Sequence, residues 1–224
     1  MNVIEYADRE MMMIEVANEV AGQLAEATRI GETPLFVVPG GTTPGPIFDT
    51  LSAVDLHWDQ VRVMLSDERW VPETSERSNT GLLRRRLLVD RAAAAHYLPL
   101  YAEAEAPEDR LEELAAAIAP HLPITVLLLG MGADMHTASL FPGADRLAEA
   151  MSDDAPVLVP MRAPGAPEPR VTLSAPVLAG AIHTHIVITG REKLDALRKA
   201  RSIDDPMLAP VSVVLGEATV HWAE

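Results

Sequence analysis

Two residues with complementary chemistry, Asp134 and His136, stand two positions apart in the stretch LLLGMGADMHTASLFPG, residues 127–143. An imidazole titrates near neutral pH and can take a proton from a water molecule. A carboxylate beside it can orient the ring or fix the loop that carries it. Because the stretch begins as an aliphatic run and continues through glycines, we predict a strand that delivers this pair to a turn.

Other charged or glycine-rich segments also follow aliphatic runs. They are the loop Gly40, Gly41, Thr42 and Thr43, the residues Asp67 and Arg69, and the single cations Arg170 and Lys193. Backbone N–H groups of a glycine loop ahead of a helix can bind phosphate, and Arg or Lys adds positive charge. Taken alone, each segment is also explained as a turn or a solvated surface. Together they indicate a site, because ligands of open α/β sheets collect at the carboxyl ends of strands.

Aliphatic runs alternate with helical patterns along the chain. Runs of strand character cover 34–38, 61–65, 124–130, 185–190 and 211–215, with weaker ones at 156–161 and 171–173. Helical patterns cover 8–29, 46–53, 79–90, 108–120 and 191–201. This alternation predicts an α/β fold with a mostly parallel, Rossmann-like sheet and helices on both faces. We expect a single domain over residues 1–224, because no fixed repeat or long linker interrupts the pattern.

Composition and charge restrict the partners. The 224 residues carry a formal net charge of −15 at pH 7, which argues against nucleic acid or an anionic membrane. No apolar run approaches the ~20 residues that span a bilayer. Cysteine is absent, which excludes a thiol nucleophile, and no His, Asp and Glu residues have zinc-site spacing, so we predict no metal. A cytoplasmic protein with an anionic small substrate fits these limits, either as a monomer or as a small homo-oligomer.

Five blocks of the sequence resemble those of the 6-phosphogluconolactonase family and follow that family's order. They are PGGTTP, SDERWVPETSERSN, GMGADMHTASLFPG, RVTLSAPVL and TGREK, between residues 39 and 193. The HTASLFPG part is highly specific, whereas GGTTP is not. The resemblance implies an α/β fold like that of glucosamine-6-phosphate deaminase. It also implies hydrolysis of 6-phospho-D-glucono-1,5-lactone to 6-phosphogluconate in the pentose phosphate pathway, without a cofactor.

This resemblance and the chemistry of a δ-lactone suggest roles for the acid–base residues. We predict that His136 activates a water molecule for attack on C1 and then protonates the leaving ring oxygen. Asp134 would orient the imidazole or fix the loop. Asp67 would orient either the imidazole or the substrate hydroxyls.

The remaining candidates are predicted to bind charge. Arg69 would hold the phosphate or the developing oxyanion. The Gly40–Thr43 loop would bind the phosphate, with Arg170 and Lys193 supplying positive charge.

Two positions depart from the family pattern. Ala133 stands where the family has an acidic residue, and Met135 stands where it has glycine. A family glycine often marks a positive φ or a close backbone approach. Either Met135 keeps the family's path and carries strain, or the loop shifts. The methionine side chain would either cover the substrate or cap the core.

Two other functions stay open from the sequence. Sugar-phosphate deaminases and isomerases share features of the Asp67 and Asp134–His136 blocks, but they carry a glutamate where this chain has Phe141, which cannot transfer protons. Ammonia release from glucosamine 6-phosphate would favour that function. A non-catalytic sugar-phosphate sensor would need a DNA-binding helix-turn-helix, for which the 224 residues leave no room. Ligand-induced stabilisation without turnover would favour the sensor.

Overall fold

The protein, described over all 224 residues by a computed structural model, contains ten strands and eight α-helices. The strands are β1 (Asn2–Glu5), β2 (Leu35–Val38), β3 (Arg62–Leu65), β4 (Asp67–Arg69), β5 (His96–Tyr97), β6 (Val126–Gly130), β7 (Leu158–Met161), β8 (Arg170–Leu173), β9 (His183–Thr189) and β10 (Thr219–Ala223). The helices are α1 (Arg9–Arg29), α2 (Gly45–Ser52), α3 (Asn79–Arg86), α4 (Leu111–Ile118), α5 (Leu147–Ala150), α6 (Ala175–Ala179), α7 (Arg191–Ser202) and α8 (Ser212–Leu215).

Seven strands form one sheet in the order β1-β10-β9-β6-β2-β3-β5, and every neighbouring pair is parallel. The strands β4, β8 and β7 form a separate antiparallel sheet, which the sequence did not predict. The prediction of a mostly parallel α/β fold is confirmed. Because β9, β6, β2 and β3 are adjacent in the large sheet, the four segments that follow them emerge side by side.

The apolar core is one continuous cluster of 58 buried residues. All four residues of β2 are buried, as expected for a strand with both faces covered. The helix α1 begins after Asp8, whose carboxylate accepts a hydrogen bond from the Met11 backbone N–H at 2.8 Å. Its inner face buries side chains such as Val16 and Leu24 against the sheet. No helix combines the length and the apolar character needed to cross a bilayer.

One predicted strand is wrong, whereas the other predicted helices and strands are present with ends shifted by a few residues. The run VSVVL (211–215) contains the helical turn α8 instead of a last core strand. Its first residue, Val211, donates its backbone N–H to the carbonyl of Met135 at 3.0 Å. This hydrogen bond connects the segment to the loop after β6. The last strand is β10, whose buried His221 breaks the aliphatic pattern.

Candidate active site

A cleft of about 240 Å³ opens where the four adjacent central strands end. It is lined by most of the predicted site residues, namely Gly40, Gly41, Thr43, Asp67, Arg69, His136, Arg170 and Lys193. Two predicted residues do not line it. Thr42 is exposed outside the cleft, and Asp134 contacts His136 without lining the cleft itself. The expectation that one edge of the sheet gathers these segments is met.

The Asp134–His136 pair is built by a tight turn after β6. Asp134 Oδ1 lies 2.5 Å from His136 Nδ1 and accepts a second hydrogen bond from the His136 backbone N–H at 3.2 Å. A Cβ at Gly132 would overlap both His136 Nδ1 and Asp134 Oδ1, so a larger residue there would displace this pair. The carboxylate therefore both orients the ring and holds the loop. With Nδ1 engaged, Nε2 is the ring nitrogen free to accept a proton.

Met135 adopts a left-handed backbone conformation, with φ of +67°. The loop thus keeps a path that suits glycine, and the methionine carries the strain. Its side chain is buried in the core cluster and does not line the cleft. The alternative in which Met135 covers the substrate is therefore not the arrangement of this structure.

Asp67 is buried and forms no hydrogen bond or ion pair with His136. Its Oδ2 accepts a hydrogen bond from Ser139 Oγ at 2.6 Å, and its Oδ1 accepts one from Ser66 Oγ at 3.1 Å. Oδ2 also lies 3.7 Å from Nη1 of Arg170. Of the two predicted roles, orientation of the imidazole therefore falls to Asp134, and Asp67 pairs with an arginine. Sequence reasoning missed Ser139, although it is part of the HTASLFPG block.

Arg69 and Arg170 are direct neighbours across β4 and β8. Arg69 Nη1 donates to the carbonyl of Arg77 at 2.7 Å, but the Nε of both Arg69 and Arg170 is buried without a hydrogen-bond partner. Burial lowers the pKa of the Arg170 guanidinium, and the neighbouring Asp67 opposes that effect. Both arginines line the cleft, so their positive charge suits an anion that enters it.

Lys193 and the glycine loop also line the cleft. Lys193 lies in the first turn of α7, and no carboxylate pairs with it, since every ion pair of the chain involves an arginine or His136. Gly41 has φ of +81°, and a Cβ at Gly40 would overlap the Asn79 side chain. These glycines bring backbone close to the cleft ahead of α2, which is how N–H groups become available to an anion.

Sequence reasoning also missed Asn79, which lines the cleft. The buried carboxylate of Glu68 accepts hydrogen bonds from the backbone N–H groups of Asn79 at 2.9 Å and Thr80 at 2.7 Å. This anchors the start of α3 beside β4. Asn79 Nδ2 then donates to the Asp67 carbonyl at 3.3 Å. The signal was the Ser78 N-cap in the SERSNT segment, ten residues after Glu68.

The Phe141 ring contacts both His136 and Arg170. Its ring centroid lies 4.3 Å from that of His136, and the guanidinium carbon of Arg170 lies 5.2 Å from the same ring. A phenyl ring there offers His136 an apolar contact and Arg170 a cation–π contact.

Residues 7–222 match the family model described as glucosamine-6-phosphate isomerases/6-phosphogluconolactonase. A 6-phosphogluconolactonase of Pseudomonas aeruginosa is 43% identical over 215 residues, covering 92% of this chain and 88% of the relative. One from Mesorhizobium japonicum is 39% identical over 224 residues, covering 97% and 93%. A crystal structure of a 6-phosphogluconolactonase from Shewanella baltica has a TM-score of 0.95 at 30% identity, covering 100% of this chain and 97% of that one. The chain belongs to this family of glucosamine-6-phosphate isomerases and 6-phosphogluconolactonases.

Proposed function

We propose that this protein is a 6-phosphogluconolactonase that hydrolyses 6-phospho-D-glucono-1,5-lactone to 6-phospho-D-gluconate, with His136 as general base. The relatives named above, which are 6-phosphogluconolactonases, support the substrate. The observation that best supports the mechanism is the 2.5 Å contact of His136 Nδ1 with Asp134, which leaves Nε2 available at a cleft lined by cations.

The reaction needs one proton carrier. His136 Nε2 takes a proton from water as the water oxygen attacks C1, which gives a tetrahedral oxyanion. Collapse of this intermediate breaks the bond between C1 and the ring oxygen, and the imidazolium returns its proton to that oxygen. Such general acid–base catalysis typically contributes about 10²–10⁴-fold. A δ-lactone is an activated ester, so no covalent nucleophile is required.

Charged groups of the cleft supply the remaining stabilisation. We assign the phosphate to Arg170, Lys193 and the Gly40–Thr43 loop, and the developing oxyanion to Arg69. Hydrogen bonds to charged groups are worth roughly 1.5–3 kcal/mol each. Asp67 holds Arg170 in place and orients substrate hydroxyls. We propose that the enzyme requires no cofactor, because this chain's side chains provide every group in the scheme.

Three substrates test this function. We expect rapid hydrolysis of the phosphorylated lactone above its spontaneous rate, poor hydrolysis of unphosphorylated gluconolactone, and no ammonia from glucosamine 6-phosphate. Equal efficiency on both lactones would rule out the phosphate assignment. Ammonia release would favour the deaminase function, and thermal stabilisation by the phosphorylated lactone without turnover would favour the sensor.

The cellular setting is part of the same proposal. We place the enzyme in the cytoplasm, in the pentose phosphate pathway, with residues 1–224 acting as one domain. Size-exclusion chromatography with light scattering would distinguish a monomer from a small homo-oligomer. Dialysis against a chelator should leave lactone hydrolysis unchanged, and lost activity that returns with added metal would contradict the cofactor-free scheme.

A further inference from the structure

A second polar cluster lies between α1 and the strands β9 and β10. Its centre is a pair of buried histidines, His185 at 2% exposure and His221 at 0%. Tyr6, Glu19 and Gln23 surround this pair. None of the five residues lines the catalytic cleft, and the proposed lactone hydrolysis uses none of them.

The two imidazoles face one another. His185 Nδ1 lies 3.0 Å from His221 Nε2, so one proton is shared between these inward nitrogens. The outward nitrogens have their own partners. His185 Nε2 lies 2.9 Å from Gln23 Oε1, and His221 Nδ1 lies 2.8 Å from the Tyr6 hydroxyl. Burial lowers the pKa of both histidines to about 4, so both rings are neutral at pH 7, which is the form that binds metal.

When a metal ion replaces the hydrogen bond between the inward nitrogens, the outer partners allow both of these nitrogens to be free of protons. Gln23 Oε1 is an acceptor only, which fixes the proton of His185 on Nε2 and leaves Nδ1 with its lone pair. The Tyr6 hydroxyl can donate or accept, so it permits either tautomer of His221. If His221 carries its proton on Nδ1 and donates it to Tyr6, Nε2 is also free. Metal-binding histidines commonly have such an acceptor on the second nitrogen.

Glu19 adds a third ligand. One carboxylate oxygen of Glu19, one ring nitrogen of His185 and one ring nitrogen of His221 lie within 4.8 Å of one another. Two nitrogens bound tetrahedrally to zinc at about 2.0–2.1 Å lie about 3.3 Å apart, so the pair would open by a few tenths of an ångström. The exposed Glu19 side chain is free to swing inward, and Glu15, one helical turn away on α1, adds negative charge.

We propose that His185 Nδ1, His221 Nε2 and the Glu19 carboxylate form a binding site for a divalent transition-metal ion such as Zn²⁺, separate from the catalytic cleft. Two histidines and one glutamate leave a fourth position for water. This proposal departs from the prediction of no metal. Residues 19, 185 and 221 are distant in the sequence, so no ligand spacing was visible there.

Calorimetric titration of metal-stripped protein with Zn²⁺ at neutral pH tests the site. We expect one Zn²⁺ per chain and a Zn²⁺-dependent rise in melting temperature, because a ligand that binds the folded state stabilises it. Lactone hydrolysis should stay the same in the stripped and loaded protein. Absence of a saturable site would overturn the proposal.

Matched variants locate the ion. Glu19→Gln should weaken Zn²⁺ binding by at least about tenfold, whereas Glu15→Gln, which changes another exposed carboxylate on the same helix, should change it only slightly. Tyr6→Phe removes the acceptor behind His221 and should weaken binding by about 10- to 100-fold. His221→Gln should abolish binding, with circular dichroism to check its fold.

Two results would contradict the assignment. Equal Zn²⁺ affinity in Glu19→Gln and Glu15→Gln would show that Glu19 is not a ligand. Loss of Zn²⁺ binding in His136→Ala, with binding kept in Glu19→Gln, would place the ion in the catalytic cleft instead. Glu19→Gln and Glu15→Gln change exposed side chains. Their comparison therefore tests the metal site even if His221→Gln fails to fold.

Discussion

The chain holds two histidine sites of opposite design, the Asp134–His136 pair and the His185–His221 pair. His136 stands on a loop after a strand, 30% exposed, with a carboxylate on one nitrogen and the other nitrogen free. His185 and His221 stand inside strands, and each of their four ring nitrogens has a partner. Both side chains are buried, at 2% and 0% exposure, so the fold must provide a partner for each of their polar atoms. His136 lies on a partly exposed loop at the carboxyl end of the sheet, where a polar atom needs no protein partner. Its Nε2 is therefore left free for proton transfer.

The largest expected effect is on kcat, and it distinguishes His136 from the buried His185–His221 pair. His136→Ala should lower kcat for the phosphorylated lactone by about 10²-fold or more, because the proton acceptor is lost. His221→Gln, assayed at a temperature where it stays folded, should keep kcat, because His221 does not line the cleft. Initial rates corrected for spontaneous hydrolysis measure both. Unchanged kcat in His136→Ala would remove that residue from the base role.

The second effect is acid instability of the buried pair. The folded-state pKa of each histidine is about 4, against about 6.5 in the unfolded chain, so the unfolded chain binds more protons as the pH falls. The stability is therefore fully present above pH ~6.5 and declines towards pH ~4. Each histidine should contribute a loss on the order of 2 kcal/mol by pH ~5.

Urea unfolding of metal-free protein at neutral pH and near pH ~5 measures this loss. The control is His185→Gln combined with His221→Gln, which lacks both titrating rings. The neighbouring titratable groups are the same in both proteins, namely Tyr6, Glu15, Glu19 and His183. An identical pH dependence in the two proteins would show that the buried pair does not cause it.

A smaller effect concerns the charges of the cleft. Arg170→Ala and Lys193→Ala should each raise KM by about tenfold or more, since losing one charged contact amounts to roughly 1.5–3 kcal/mol. Added salt should also raise KM, because the cleft is open to solvent. Arg201→Ala, a solvent-exposed change in the last turn of α7, is the matched control and should leave KM unchanged. If all three variants kept the original KM, the phosphate would bind elsewhere.

The Asp134–His136 pair and the His185–His221 pair also differ in how far the sequence predicts them. Asp134 and His136 are two residues apart on one turn, so their contact is a local property that a short motif contains. His185 and His221 meet only because β10 is parallel to β9, with His221 opposite Val187. The sequence did not indicate β10 as a strand, so this contact was invisible.

The wrongly predicted strand and the missed cleft residues also depend on tertiary contacts, which the sequence does not show. The run 211–215 has the composition of a strand, but the hydrogen bond of Val211 to Met135 holds it outside the sheet. Ser139 and Asn79 are ordinary polar residues in the sequence, and only the fold brings them to Asp67. The parallel sheet and most cleft residues were predictable, because each aliphatic run and the polar segment after it are adjacent in the chain.

The smallest effect is on stability and tests backbone strain. The loop that carries His136 has a left-handed residue, whereas the backbone at His185 and His221 has none. Met135 has φ of +67°, so any L-residue there is strained, whereas glycine is not. Its side chain is also buried, so both Met135→Gly and Met135→Ala lose apolar contacts. Met135→Gly should nevertheless be more stable than Met135→Ala by about 1 kcal/mol, the reverse of the usual order in helices.

Chemical denaturation of the two variants measures this difference directly, because the lost burial is nearly the same in both. Turnover should persist in each, since Asp134 and His136 remain and the methionine does not line the cleft. A Met135→Ala protein as stable as Met135→Gly would show that the left-handed backbone carries no measurable strain. A large loss of lactonase activity in Met135→Gly would instead show that packing of the methionine holds the Asp134–His136 contact in place. In that case the rigidity of the loop would come from the core below it and not from the carboxylate alone.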